Sequence, residues 1–287
     1  MPELPEVAAL ARDLASRLGG RSVAAVSLRS FAALKTYDPP LQALVGATIA
    51  GCTRRGKFLA IEAGELHLVI HLARAGWVRW HEQLAVDGAP ARRSPVALRV
   101  RLDSGAGFEV TEQGTEKRLS LYLVRSLDEV PGIARLGPDA LDPGFDTAAL
   151  SEVLGSAGTQ PLKSMLTDQE LLAGVGNAYS DEALHAARLS PYRRAGSLDD
   201  AEVERLHAAL TGVLRDAVSR SDGLRASELK GEKHAGMRVH GRTGQPCPVC
   251  GDTIREVAFS SRSFQYCPTC QTGGKVLADR RLSRLLR

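Results

Sequence analysis

Met1-Pro2-Glu3-Leu4-Pro5-Glu6-Val7 opens the chain, and the rest is organised around how this stretch is read. Two prolines and two acids in six residues suit the first turn of a helix. Proline's fixed φ is set for that turn, and carboxylates complement the partial positive charge of a helix N-terminus. Val7, Leu10, Leu14 and Leu18 then recur at helical spacing, and Gly19-Gly20 ends the run. This predicts one amphipathic helix over 3–18. The same residues carry a second reading. With Met1 removed, Pro2 would present a secondary amine, and a terminal amine titrates near pH 8, so a fraction of it is an uncharged nucleophile at neutral pH. Such an amine can attack a sugar aldehyde carbon and form an iminium, as a Schiff-base lysine does. Glu3 and Glu6 could then move protons. A helix anchored on a core would hold such a terminus in place, where a free one frays. On these residues alone the plain helix start is the simpler reading; the motifs downstream reverse that preference.

Working outward, the next hundred residues read as strands. Segments 22–30, 48–52, 57–62, 66–71, 76–80, 96–102, 107–111 and 119–124 alternate or carry β-branched residues. Several are joined by short turns such as Glu62-Ala63-Gly64-Glu65 and Asp103-Ser104-Gly105. The pattern predicts an antiparallel β-sandwich, with 82–94 as a loop. Residues 131–145, rich in Pro and Gly, read as a linker. Beyond it the period turns helical, near 146–156, 161–172, 177–188 and 198–220. The stretch 240–272 is short, Cys-bearing and hairpin-like, and 277–287 reads as a short basic amphipathic tail. There is no internal repeat.

Composition bounds the function classes. At 287 residues, 44% hydrophobic and 24% charged, the chain is an ordinary globular protein of about two domains. No apolar run approaches a membrane span, and no basic-then-apolar signal opens the chain. The expectation is a cytoplasmic protein with no membrane partner. The formal net charge of +4 is modest, but its distribution is uneven: from Arg225 onward, twelve Lys and Arg face five Asp and Glu. The basic end reads as a polyanion-facing surface, against the plainer reading of a solvated face.

Four of the five cysteines form Cys247-Pro-Val-Cys250 and Cys267-Pro-Thr-Cys270, sixteen residues apart, while Cys52 stands alone. This spacing fits one tetrahedral Zn²⁺ held by four thiolates, structural because no ligand position stays open. A disulfide pair or an iron–sulfur cluster are the alternatives, and the absence of a secretion signal weighs against the first. Arg262 precedes the second pair on the hairpin and suits a phosphate or groove contact. Gly174-Val175-Gly176-Asn177, between two helical segments, lets a backbone approach an anion, with Asn177 as cap or phosphate donor. A helix turn with an Asn cap explains it equally. Arg54-Arg55-Gly56-Lys57-Phe58 puts a Lys at a strand start, as a phosphate contact or a basic hairpin rim. His71 lines a groove or sits at a core edge.

Taken together these residues resemble the bacterial formamidopyrimidine-DNA glycosylase / endonuclease VIII family. Met-Pro-Glu-Leu-Pro-Glu-Val at the start, Gly-Lys-Phe-Leu at 56–59, His-Leu-x-x-x-Gly at 71–76, the segment from Lys163 through Asp168-Gln169 and Gly174-Val-Gly-Asn-Ala-Tyr-Ser-Asp-Glu182, and the terminal Cys pairs occur in the family's order over nearly the whole chain. The resemblance implies an α+β multidomain protein. An N-terminal helix on an antiparallel β-sandwich (1–130) would be followed by the 131–145 linker. A helix–two-turns–helix domain (146–238), a zinc-finger hairpin (239–272) and a basic tail (273–287) would complete it.

The implied partner is damaged double-stranded DNA, bound by a monomer in the cleft between the halves, in a bacterial, nucleoid-associated setting. The damaged nucleotide would be flipped out of the stack. Pro2 would attack C1′ and expel the base; Glu3 would transfer protons, with Glu6 assisting. β,δ-elimination would cut the strand. Lys57, Asn177 and Arg262 would grip phosphates around the lesion, Lys57 within the catalytic set. His71 and Lys163 stand in matching motifs and join the DNA-binding set.

The departures bear on substrate. Arg74 stands where the family carries a Met wedge. Thr111-Glu-Gln-Gly-Thr-Glu-Lys117-Arg118-Leu119 replaces a loop that supplies an Arg and a Phe. Apolar wedges hold gaps in base stacks, so Arg74, Lys117 and Arg118 become the candidates to fill that place. The segment 223–239 is short for a lesion-covering loop. Two rival readings remain: a DNA-lesion or DNA-structure binding protein of the same fold with little or no turnover, and a zinc-ribbon nucleic-acid-binding protein unrelated to repair.

Overall fold

The structure is a computed structural model describing residues 1–86, 94–259 and 262–278. The chain divides into two units, Met1–Arg135 with Ser221–Leu229, and Leu136–Arg220 with Lys230–Arg287.

In the first unit, helix α1 (Leu4–Leu18) begins one residue later than the periodicity predicts, because Glu3 is its extended N-cap. Leu4, Val7, Leu10, Leu14 and Leu18 are all buried. Each such side chain contributes about 1.5–3 kcal/mol of burial, which holds the chain start on the core. Eight strands follow: β1 (Val23–Leu28), β2 (Ile49–Arg55), β3 (Phe58–Ala63), β4 (Leu66–His71), β5 (Gly76–His81), β6 (Val96–Leu102), β7 (Gly107–Glu112) and β8 (Ser120–Val124). They form two antiparallel sheets, ordered β1-β6-β7-β5 and β2-β3-β4-β8. Leu59, Ile61, Leu68, Ile70, Leu121 and Leu123 from one sheet, Val78, Leu98, Val100, Phe108 and Val110 from the other, and Val7, Leu10, Leu14 and Leu18 of α1 share one core. The expected sandwich is therefore present, because alternation sends one face of every strand inward.

Three segments add detail to the sequence reading. A short helix, α2 (Pro131–Ala134), opens the linker segment. A Cβ on Gly132 would meet Phe58 Cζ at 2.6 Å, so glycine allows that helix to lie against β3. Residues 221–229, expected within the helical domain, belong to the first unit. Ala226 and Leu229 enter its core, and Trp77 Nε1 donates to the Ala226 carbonyl at 3.0 Å. Of the expected loop 82–94, residues 87–93 lie outside the described residues; Leu84 and Val86 are buried.

The second unit contains α3 (Thr147–Ala157), α4 (Leu162–Thr167), α5 (Asn177–Ala186) and α6 (Asp200–Arg220), then α7 (Leu229–Gly236) apart from its first residue, β9 (Arg255–Phe259), β10 (Arg262–Tyr266) and α8 (Pro268–Thr272). Asp146 caps α3 through Ala149 N–H at 2.8 Å. The helix expected over 161–172 stops at Thr167. Gln169 is the reason. Its amide nitrogen donates to the Thr167 and Val175 carbonyls at 3.0 and 2.8 Å, and its oxygen accepts from Gly174 N–H at 3.0 Å. These bonds stabilise two successive turns in place of a third helical turn, and Gly174 at φ +89° is a conformation glycine adopts without strain. The second unit thus has the expected helix–two-turns–helix, followed by the antiparallel β9–β10 hairpin. Of the expected basic tail, residues 279–287 lie outside the described residues.

Candidate active site and nucleic-acid interface

In the first unit, Pro2, Glu3 and Glu6 are all buried, the two acids at 2% exposure each. Glu3 N–H donates to Glu6 Oε2 at 2.8 Å, one half of a capping box. The capping box ties both acids to the first turn of α1. Pro2 is thereby fixed directly before a rigid element, while Met1 is half exposed. Lys57 is buried at the β2–β3 turn, and His71 pairs in register with Phe58, their rings 4.6 Å apart. Burial, with the Lys57 charge second, pushes the His71 pKa down to about 4. His71 is therefore a neutral donor or acceptor at physiological pH.

Arg74 lies exposed on the turn between β4 and β5. That turn is tight: a Cβ on Gly76 would meet the Leu72 carbonyl oxygen at 2.2 Å. The Ala75 carbonyl accepts from Gln113 N–H at 3.2 Å, so the turn and the loop after β7 lie side by side. Glu112, at 4% exposure, closes that loop. Its Oε1 accepts from Arg118 and Leu119 N–H at 2.6 and 2.9 Å, and its carbonyl accepts from Lys117 Nζ at 2.6 Å. Arg74 thus sits on a turn beside the loop that carries Lys117 and Arg118. Lys117 is directed toward its own loop, and Arg118 is exposed beside Glu116 at 3.1 Å. Sequence reasoning missed Glu112; a lone acid at a strand end carries no signal of its own.

In the second unit, α5 is buried along nearly its whole length, so each of its polar groups needs a partner. Lys163 Nζ donates to the Asn177 carbonyl at 2.7 Å, Ser180 Oγ at 2.7 Å and Asp181 Oδ1 at 2.5 Å. These three acceptors match the three protons of an ammonium group. Lys163, expected in the DNA-binding set, braces α5 through these three bonds. Asp181 Oδ2 takes His240 Nδ1 at 2.7 Å and Gln265 N–H at 3.2 Å. Glu182 accepts the successive N–H groups of Arg238, Val239 and His240 at 2.8–2.9 Å. Burial raises its pKa, and those three bonds oppose the rise. Gly176, not Asn177, is the N-cap of α5. The Asn177 amide instead crosses to the Ser263 carbonyl of β10 at 2.6 Å. The backbone of Arg262 lies in the same strand; its side chain is outside the described residues.

Cys247, Cys250, Cys267 and Cys270 place their sulfurs within 4.8 Å of one another. The Cys247–Cys270 and Cys250–Cys267 separations are 3.9 and 3.4 Å. A tetrahedron with Zn–S bonds of about 2.3 Å has edges of roughly 3.8 Å, so the donor set fits one structural zinc and is too open for disulfides. Cys52 is buried in β2 far along the chain, and burial pushes its thiol up to about 12, so it is inert. Among the described residues no helix is long and apolar enough to cross a membrane.

A helix-on-sandwich unit with an acid-flanked chain start, and a two-turn helical unit carrying a four-thiolate finger, define a class known from other proteins. The formamidopyrimidine-DNA glycosylase N-terminal domain matches residues 1–118, the H2TH domain of the same enzymes residues 136–228, and the zinc finger found in FPG and IleRS residues 244–273. A formamidopyrimidine-DNA glycosylase of Symbiobacterium thermophilum is 39% identical over 98% of this chain and 93% of its own length. An uncharacterized formamidopyrimidine-DNA glycosylase-like protein of Mycobacterium tuberculosis is 60% identical over 152 residues, 53% of this chain and 94% of that one. The crystal structure of MutM (Fpg) from Thermus thermophilus superposes with a TM-score of 0.81 at 33% identity, covering 96% of this chain and 100% of the other. That of Lactococcus lactis Fpg, non-covalently bound to DNA containing an AP site, gives 0.80 at 28%, covering 94% and 99%. The chain belongs to the formamidopyrimidine-DNA glycosylase family.

Proposed function

We propose that this chain is a bifunctional DNA glycosylase and AP lyase that excises a damaged base and nicks the strand. The observation that carries the reading is the buried start of the chain: Pro2 held before α1 by Glu3 and Glu6, both 2% exposed, in a member of this family. After loss of Met1 the Pro2 nitrogen lone pair attacks C1′ of the flipped nucleotide, and the base departs with the bond's electrons and a proton. The opened sugar then carries an iminium. Glu3 donates and accepts the protons at the sugar, and Glu6, bonded to the Glu3 backbone, holds it there. The iminium acidifies C2′, so β-elimination expels the 3′ phosphate and δ-elimination the 5′ phosphate. Water then releases Pro2. Lys57, Asn177 and Arg262 hold flanking phosphates, contacts that position without reading sequence. Neutral His71, with Arg74 and Arg118, faces the space that the flipped base vacates, and Lys117 shapes their loop. The partner is damaged duplex DNA, as the Lactococcus lactis complexes of related proteins suggest by analogy.

Borohydride reduction on duplex DNA with one abasic site tests this. The expected product is a crosslink mapped by mass spectrometry to the Pro2 peptide, absent from Pro2→Gly. Glu3→Gln should lower cleavage by about 10²–10⁴-fold, the usual contribution of a positioned acid–base group, with DNA binding retained. Unchanged cleavage by both variants would overturn the mechanism. Binding without any trapped product, from protein lacking Met1, would establish the binding-protein reading instead.

A further inference from the structure

Helix α5 reaches the zinc site with a side chain. His185 is 3% exposed, and its Nε2 lies 3.2 Å from Cys247 Sγ. A zinc-bound cysteine is a thiolate with no proton to give, so the imidazole is the donor and its proton is on Nε2. Four thiolates around one Zn²⁺ leave two net negative charges, and charge removed from water needs donors. Backbone groups supply part of this. Val249 N–H approaches Cys247 Sγ at 3.5 Å, Asp252 N–H serves Cys250 and Cys270 N–H serves Cys267. Cys250 is exposed to solvent. Cys247 is 3% exposed and has no such supply, yet it receives a second donor from outside the finger.

The placement follows from helical spacing. Asn177, Asp181 and His185 stand at i, i+4 and i+8, one stripe of α5. The first two bond to β10 and the third to the metal ligand. Polar groups on a largely buried helix are costly if unpaired, and here each of the three has a partner in the finger segment.

We propose that His185 is a positioning residue for the metal: its Nε2–H fixes the Cys247 thiolate in ligating orientation, and so links zinc retention to helix α5. The inference stands apart from the glycosylase reading and concerns only the metal. It is tested on full-length, zinc-loaded protein with two variants. His185→Leu removes the donor; His185→Gln offers an amide N–H at similar reach. Competition with a chromogenic chelator reads metal affinity, and cobalt substitution reads the sulfur-to-metal charge-transfer band. Partners of this kind alter metal affinity by about 10–100-fold, so His185→Leu should weaken binding by that factor and shift the band. His185→Gln should restore most of both. Wild-type affinity and an unshifted band in His185→Leu would overturn the proposal. Equal weakening in both variants with an unshifted band would also overturn it, by assigning His185 to packing alone.

Discussion

At the scale of single residues, two groups make sharp predictions. His71 titrates only near pH 4 in the folded chain, against about 6.5 when unfolded. Between those values the unfolded state binds more protons. The stabilisation is therefore complete above pH 6.5 and is lost as pH falls toward 4. Urea unfolding across that window should show a decline that is flatter in His71→Gln; the same slope in the variant would refute the assignment. Lys163 was legible in the sequence as part of a family motif, but its role was not. Its position on α4 fixed only that it stood near α5, and three acceptors on that helix turned its charge inward. Lys163→Met should therefore cost about 3–5 kcal/mol, because Asp181 at 1% exposure loses its cation. Adding Asp181→Asn should recover part of that loss. Strictly additive losses in the double variant would argue against the pairing.

At the scale of elements, periodicity located nearly every strand and helix, because burial of one face is a local property of the pattern. β4 and β6 carry the bounds that alternation predicts. The exceptions have identifiable physical causes. The helix after Pro161 ends at Thr167 because the Gln169 side chain outcompetes the helical hydrogen bonds, and a side chain's reach is invisible to periodicity. α7 was missed because only Leu229 of its residues is buried, which leaves almost no apolar pattern. Its support is polar: Glu232 pairs with Arg220 at 2.8 Å and Lys233 lies over the Tyr179 ring at 4.7 Å. Helix α5 shows the converse. Asp181, Glu182 and His185 look like the solvent face of an amphipathic helix in sequence. In the fold they are a buried polar seam to the finger.

At the scale of the whole molecule, the finger and its seam belong to one unit and the sandwich core to the other. Removing zinc should then act within the second unit. The four thiolates would repel or protonate, and β9–β10 would lose its anchor beneath Asn177. Calorimetry with a strong chelator should lower the transition of that unit, and binding to abasic-site DNA should weaken with it. A chelated protein with unchanged thermal transition and affinity would refute this. The sequence by itself determined the two sheets, the helical unit, the four-thiolate zinc site and the acid-flanked Pro2, because each is written in local spacing or in residue types with few chemical uses. Only the tertiary structure decided that Lys163 braces a helix, that Glu112 closes the basic loop, that 221–229 packs against the sandwich and that His185 reaches a metal ligand. These depend on which groups are taken out of water together, and that is set by packing between segments far apart in the chain.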